Sequence, residues 1–345
     1  MNSKYHQSII LSILILGLIF IAINENTGVN ITTGQTTAII ADHTIANMVR
    51  LDEVPESAIV TAKNTLHIAY GHTSHGSQII GGMTNLPAFK EANGGTAGLY
   101  DWHDGPLAGA LDIDDYFASG DLGNPDRTTW AARTRTYLDN PAHSDVNVVI
   151  WSWCGQASSA TETDITTYLT LMNTLETDYP SVEFVYMTGH TDGTGLSGNL
   201  HIRNNQIRDF CIANGKILYD FADIESYDPD GNYFGDKNVN DNCDYTGGNW
   251  AIEWQNSHIQ DVEWYSCSAA HSQALNGNLK AYAAWWLWAR LAGWNQVTTT
   301  SSGSISEFTT NTVSTPSIGI IFIMICIITT AGWRLKRKKT RDCST

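Results

Sequence analysis

An α/β fold, a three-layer α/β/α sandwich on a mostly parallel sheet, is predicted by three observations. Short β-branched runs alternate with segments of helical period. The run at 145–153 (DVNVVIWSW) is dense in β-branched and aromatic residues, as in a strand buried on both faces. The segment 280–291, with Trp285, Trp286 and Trp288, is apolar almost all round, as in a helix buried against a sheet. Strands separated by helices call for parallel pairing with right-handed crossovers.

The elements follow in order. Residues 65–70 (TLHIAY) form a short strand that Gly71 ends. Asn124-Pro125 reads as a cap with proline at the first helical position, opening a helix through Leu138. After the strand at 145–153, Ser159 and Glu162 have capping-box spacing. Behind them Ile165, Tyr168, Leu169, Met172, Leu175 and Tyr179 recur at helical period until Pro180. Residues 182–187 form the next strand. Residues 200–213 form a helix closed by Gly215, residues 216–221 (KILYDF) another strand, and Gly293 ends the last helix. No internal repeat is present.

The ends set the compartment. Residues 1–24 pair Lys4 with an apolar run, the build of a signal peptide or N-terminal anchor. Residues 25–59 form an N-terminal extension and 60–296 the α/β domain. A Thr/Ser-rich stalk occupies 297–316, an apolar transmembrane segment 317–333, and a basic tail 334–345 beginning Arg334-Leu-Lys-Arg-Lys-Lys. This order anchors the protein by its C-terminal helix with the domain outside, at the cell surface. Between residues 25 and 317, 34 acidic side chains face 12 basic ones, a net of about −22. So acidic a body repels nucleic acid and anionic lipid, which excludes DNA binding. Of six cysteines, Cys326 and Cys343 fall in the anchor and tail. Cys243 and Cys267 flank a Trp/Asn-rich loop and are expected to pair as a disulfide, with Cys154 and Cys211 as buried thiols.

In parallel α/β sheets ligands sit beyond the carboxyl ends of the strands. The first strand is followed there by Gly71-His72-Thr73-Ser74-His75-Gly76-Ser77-Gln78, and a later one by Cys154-Gly155-Gln156. The next is followed by Gly189-His190-Thr191-Asp192-Gly193, and Ser268-Ala269-Ala270-His271 precedes the last helix. A serine becomes a nucleophile only with a base in reach and donors aimed at the oxyanion. Ser74, His271 and Gln156 with Gly155 could fill those three roles. His67, within the first strand, reads as structural.

These blocks resemble those of the SGNH/GDSL-like hydrolases, in a variant whose first block is His-x-Ser-x-Gly, here His72-Thr73-Ser74-His75-Gly76. The resemblance covers about residues 60–295. It implies a flavodoxin-like, five-stranded sheet, Ser74 as nucleophile and His271 as base. It also implies Gln156 in the place of the family's oxyanion asparagine, with His72, Gly76, Gly155, His190 and Asp192 around the substrate. Two departures stand out. The family's acid, three residues before the histidine, is Ser268 here, so Asp192 is a candidate orienting group, and the Asn-Asp pair is missing.

Metal chemistry has two candidates. His72, His75, His190 and His271 could converge as zinc-type imidazole donors. Asp228, Asp230, Asn232 and Asp236, with Gly231 at the turn, resemble a calcium loop lacking the final glutamate of an EF-hand. The expectation is a cell-surface serine–histidine esterase acting on a small-molecule or glycan ester. It requires no cofactor beyond a structural Ca²⁺. The glycan element rests on Trp102, Trp250, Trp254 and Trp264, read as exposed. The competing classes are a non-catalytic binding module of the same fold and a metal-dependent hydrolase using the histidines.

Overall fold

Seven parallel strands run through the centre of the domain in the computed structural model, which describes residues 37–295. Strand β1 (Ile39–Ala41) leads through α1 (Met48–Asp52) and α2 (Glu56–Thr65) to β2 (His67–Gly71) and α3 (Ser77–Ala92). Strands β3 (Trp102–His103) and β4 (Leu111–Asp115) precede α4 (Thr129–Leu138). Then come β5 (Val148–Trp151), a 3₁₀ turn at Gly155–Ser159, and α5 (Glu162–Asp178). The last sheet strands are β6 (Glu183–Met187) and, after α6 (Asn199–Ala213), β7 (Ile217–Tyr219), with short α7 (Phe221–Ile224) behind it. A small antiparallel hairpin, β8 (Asp244–Tyr245) and β9 (Gly248–Asn249), precedes α8 (Trp250–Ser257) and α9 (Ala274–Leu291).

The sheet order is β1-β7-β6-β5-β2-β4-β3. Its inner five strands, β4-β2-β5-β6-β7, have the flavodoxin-like order, and β1 and β3 extend it at the edges to seven rather than five. Strand β1 pairs with β7 (Ile39↔Ile217), so the fold takes up residues 39–41 from the segment read as an extension. Three residues are too few for a periodic signal, and in β4 the acidic alternation of Leu-Asp-Ile-Asp-Asp masks a strand whose Leu111 and Ile113 are buried.

Alternate side chains along each strand feed two cores. Ile68, Tyr70, Val148, Ile150, Val185 and Met187 pack on one side with α3 and α9; Ala69, Val149, Trp151, Phe184 and Tyr186 pack on the other with α5 and α6. Each fully buried aliphatic side chain contributes about 1.5–3 kcal/mol. The two faces thus make the sandwich that the order of elements predicts. Helix α9 is buried from Leu275 to Ala289, as its uniform apolarity requires. It lies very close to α3: a methyl group on Gly82 would stand 2.0 Å from the carbonyl oxygen of Gly277, so only glycine permits the approach.

Some local readings change. Helix α4 begins at Thr129, and Asn124-Pro125 lies in the preceding loop. The capping box of α5 is Thr161 with Asp164, because Thr161, not Ser159, is extended and next to the helix. Trp250 and Trp264 are buried, filling the core under α8. The leader, stalk, apolar C-terminal segment and basic tail lie outside the described residues. Among the described residues no helix is long and apolar enough to cross a membrane.

Candidate active site

Strands β2 and β5 are neighbours (Gly71↔Trp151), yet β2 also pairs with β4 on its other side. The chain therefore leaves their carboxyl ends in opposite directions and opens a crevice, the place where such sheets bind ligands. His75 lies in the turn after β2 and Cys154 in the loop after β5, so both stand at this end of the sheet. Gly76 makes this possible. A Cβ there would meet Ser152 Oγ at 2.3 Å and His72 Cβ at 2.4 Å.

Within the crevice His75 Nδ1 lies 3.0 Å from Cys154 Sγ, and His75 Nε2 lies 2.9 Å from Asp241 Oδ2. Ser74 Oγ adds a contact of 3.6 Å to the same sulfur. Thiol, imidazole and carboxylate thus form one line, with Asp241 delivered by the loop before β8. Burial pulls the His75 imidazole toward neutrality, but the hydrogen bonds to Asp241 and Cys154 outweigh it and raise the group to about 9. The hydrogen bond from His75 lowers the Cys154 thiol to about 6, against the opposing effect of burial. Burial would raise Asp241, yet the His75 hydrogen bond holds it below the usual carboxylate range. At neutral pH the three carry a thiolate, an imidazolium and a carboxylate.

Two more histidines frame this line. The His190 ring stacks on His75 with centroids 3.8 Å apart and planes 3° apart, and His271 stacks on it at 4.6 Å. His190 Nδ1 lies 2.7 Å from the Thr191 carbonyl, which leaves Nε2 as the acceptor. Burial lowers His190, so a neutral ring lies against the charged one. His271 sits at φ 63°, in the left-handed region where a non-glycine residue is strained. No hydrogen bond joins His271 to Ser74 among the described residues.

The other expected site residues have structural partners. His72 Nε2 lies 2.7 Å from Asp115 Oδ1, tying the β2 loop to β4. The Gln156 side chain accepts from the Cys154 amide and donates to Asp121, so it braces the turn that carries Cys154. Asp192 receives the amide and hydroxyl of Thr194 within its own loop. Cys243 and Cys267 are free thiols rather than a disulfide. Cys243 faces Ser272 Oγ at 3.5 Å, Cys267 bonds the Ala274 carbonyl, and burial pushes both thiols up to about 12. Both pack with one hydrophobic core cluster, Cys243 within it and Cys267 against it, without a crosslink.

Two groups of three His, Cys, Asp or Glu donor atoms fall within 4.8 Å of one another among the described residues: His75, His190 and Asp241, and Asp42, His43 and Asp223. In the first, the parallel stack works against shared ligation, because an ion in the plane of one imidazole lies well out of the plane of the other. Asp228, Asp230 and Asp236 belong to neither group. Asp228 accepts from the Asp230 and Asn232 amides, and Asp230 accepts from Trp254 Nε1.

A cavity of about 220 Å³ lies behind the Thr191–Asp192 loop, lined by Asn204, Arg208, Asp223, Tyr227 and Tyr233 among others. Cys154, His75 and Asp241 do not line it, so it is separate from the crevice. Sequence reasoning took Cys154 for a buried thiol, whereas it is half-buried, and did not connect it or Asp241 with His75. The available signal was the position of Cys154 at a strand's carboxyl end; nothing in the chain order ties Asp241 to His75. Comparison of the chain with protein-family models, curated proteins and solved structures finds no match.

Proposed function

We propose that the protein is a cysteine-nucleophile hydrolase that cleaves carboxylic esters through a thioester on Cys154. The observation that carries this reading is the continuous line Cys154 Sγ–His75–Asp241, with separations of 3.0 and 2.9 Å. Nucleophile, base and orienting acid in hydrogen-bond reach are what nucleophilic acyl transfer needs. It replaces the expected Ser74–His271 pair with a thiolate that needs no further deprotonation.

The steps follow from the groups. The Cys154 thiolate attacks the ester carbonyl carbon, and the carbonyl electrons move onto oxygen. The amides of Gly155 and Gln156, at the start of a helical turn where N–H groups have no intrahelical acceptor, are the donors for that oxyanion, and Ser74 Oγ stands 3.6 Å from the attacking sulfur. Collapse of the intermediate breaks the C–O bond, and the His75 Nδ1 proton goes to the departing alcohol. Water then attacks the thioester while His75 takes its proton, releasing the acid and restoring the thiolate–imidazolium pair. Asp241 keeps the imidazole oriented and favours its charged form.

The leader and C-terminal segment support an outward-facing domain held at a membrane, and the solvated acidic body is compatible with glycan or small-molecule ester substrates. The test of the reaction is incubation with p-nitrophenyl acetate, acid quenching and peptide mass mapping. An acetyl group on the peptide containing Cys154 is expected. Acetyl on Ser74 with Cys154 unmodified would replace this reading with the serine one, and no acetylated peptide would favour a binding module.

A further inference from the structure

Lys280 is fully buried in the middle of α9, a position its apolar neighbours would fill without penalty. It forms an ion pair with Glu225 at 2.6 Å, both side chains wholly excluded from solvent, and lies 3.7 Å from the Phe221 ring centroid. Its ammonium also donates to Gln78 Oε1. From these three groups hydrogen bonds run outward to the crevice. Glu225 Oε2 accepts from the Thr191 amide at 2.7 Å and from the Thr191 hydroxyl at 3.1 Å, one residue beyond His190. Gln78 Nε2 donates to the Ala270 carbonyl at 2.5 Å, one residue before His271. The Gln78 amide donates to the His75 carbonyl at 3.1 Å.

We propose that Lys280 is a positioning residue whose buried pair with Glu225 and bond to Gln78 hold the His75, His190 and His271 loops in one register. A buried ion pair is poor evidence for stability, since apolar residues of similar volume often replace one at no loss; what it supplies is a unique arrangement. Here the three partners come from three different elements, α3, the residue after α7, and α9. Lys280 joins the other two: Glu225 ends on the backbone of the His190 loop, the Gln78 side chain on that of the His271 loop, and the Gln78 main-chain amide on the His75 carbonyl. The strained backbone of His271 needs such a restraint. The consequence for the reaction rests on the cysteine reading; the restraint on the loops does not.

The test uses Lys280→Met/Glu225→Gln, which removes both charges so that neither is stranded, and Gln78→Leu, which cuts the tether to Ala270 together with the Lys280 bond to Gln78 Oε1 but leaves the Lys280–Glu225 pair in place. Circular dichroism melts establish folding. Hydrogen exchange at the Thr191 amide and at residues 270–272, and the alkylation rate of Cys154 by iodoacetamide at pH 7, are the readouts. The double variant is expected to fold, to lose protection at Thr191, and to alkylate about tenfold more slowly as His75 and the thiol separate. Gln78→Leu is expected to lose protection at 270–272 alone. Wild-type protection in both folded variants, or failure of both to fold, would overturn the proposal. Slow alkylation of the wild-type protein, with protection lost in the variants, would overturn the cysteine reading and leave the positioning role standing.

Discussion

Two histidine–carboxylate pairs of similar build lie at the carboxyl edge of the sheet, and they have different surroundings. His43 Nδ1 lies 2.5 Å from Asp223 Oδ2, and its ring stacks on Tyr227 at 3.5 Å. His75 Nε2 lies 2.9 Å from Asp241 and its ring stacks on His190. In both, burial opposes the charged imidazole and the carboxylate restores it, so both histidines end above their ordinary value. The difference is the second ring nitrogen. In His75 it faces the sulfur of Cys154; in His43 no nucleophile contacts it among the described residues. A histidine with an aspartate is a common structural clasp. A thiol on the far side is what the proposed proton transfer requires.

Breaking that difference at its source has the largest expected effect. Cys154→Ala should lower p-nitrophenyl acetate turnover by about 10⁴–10⁶, the scale of a lost nucleophile, whereas His43→Ala should leave the rate within about threefold. Equal losses in steady-state assays of the two variants would erase the distinction.

His75→Gln should cost about 10³–10⁴ in the same assay. It should also move the Cys154 thiol up from about 6 toward its ordinary range, seen as a shift in the pH dependence of thiolate absorbance near 240 nm. A titration that stays near 6 would mean that His75 is not the partner.

Asp241→Asn should cost about 10²–10⁴, since it removes orientation and charge support but leaves base and nucleophile in place. The pH–rate profile of the wild-type protein sharpens the same point. Thiolate appears as pH rises through about 6, and the imidazolium that donates to the leaving group disappears as pH rises through about 9. Activity should therefore rise about tenfold per unit below the first value, stay flat between them, and fall above the second. A profile rising steadily to pH 10 would point to an ordinary hydroxyl or hydroxide reaction instead.

The smallest effect belongs to the clasp. His43→Ala should destabilise the fold by about 1 kcal/mol in urea titrations, the net value of one partly exposed hydrogen-bonded pair. A loss several times larger would show that β1 and α7 depend on that clasp as strongly as the crevice depends on His75.

The strand ends and their chemistry were legible because each carries a local signal. The run 145–153 is read as a buried strand from its own residues, and Cys154-Gly155-Gln156 can be placed at its carboxyl end by counting. The histidines at 72, 75, 190 and 271 could be assigned to one edge for the same reason. Strands β1 and β3 could not, because three and two residues carry no periodicity and are extended only by pairing with β7 and β4. The role of Lys280 was equally hidden. A lone lysine in a tryptophan-rich helix gives no sign of the acid, 55 residues away in the chain, that neutralises it.

The sequence by itself determined the layered α/β architecture, the edge at which chemistry gathers, and the acidic character of the body, since these depend on local pattern and composition. The tertiary structure decided which histidine meets which hydroxyl or thiol. Ser74 and His75 are adjacent in the chain, and His271 is equally reachable by strand order. The loop before β8 brings Asp241 to His75, and the β2–β5 register brings Cys154 to the other side of the ring. Hydrogen bonds act over about 3 Å, a precision that strand order cannot supply and side-chain packing does.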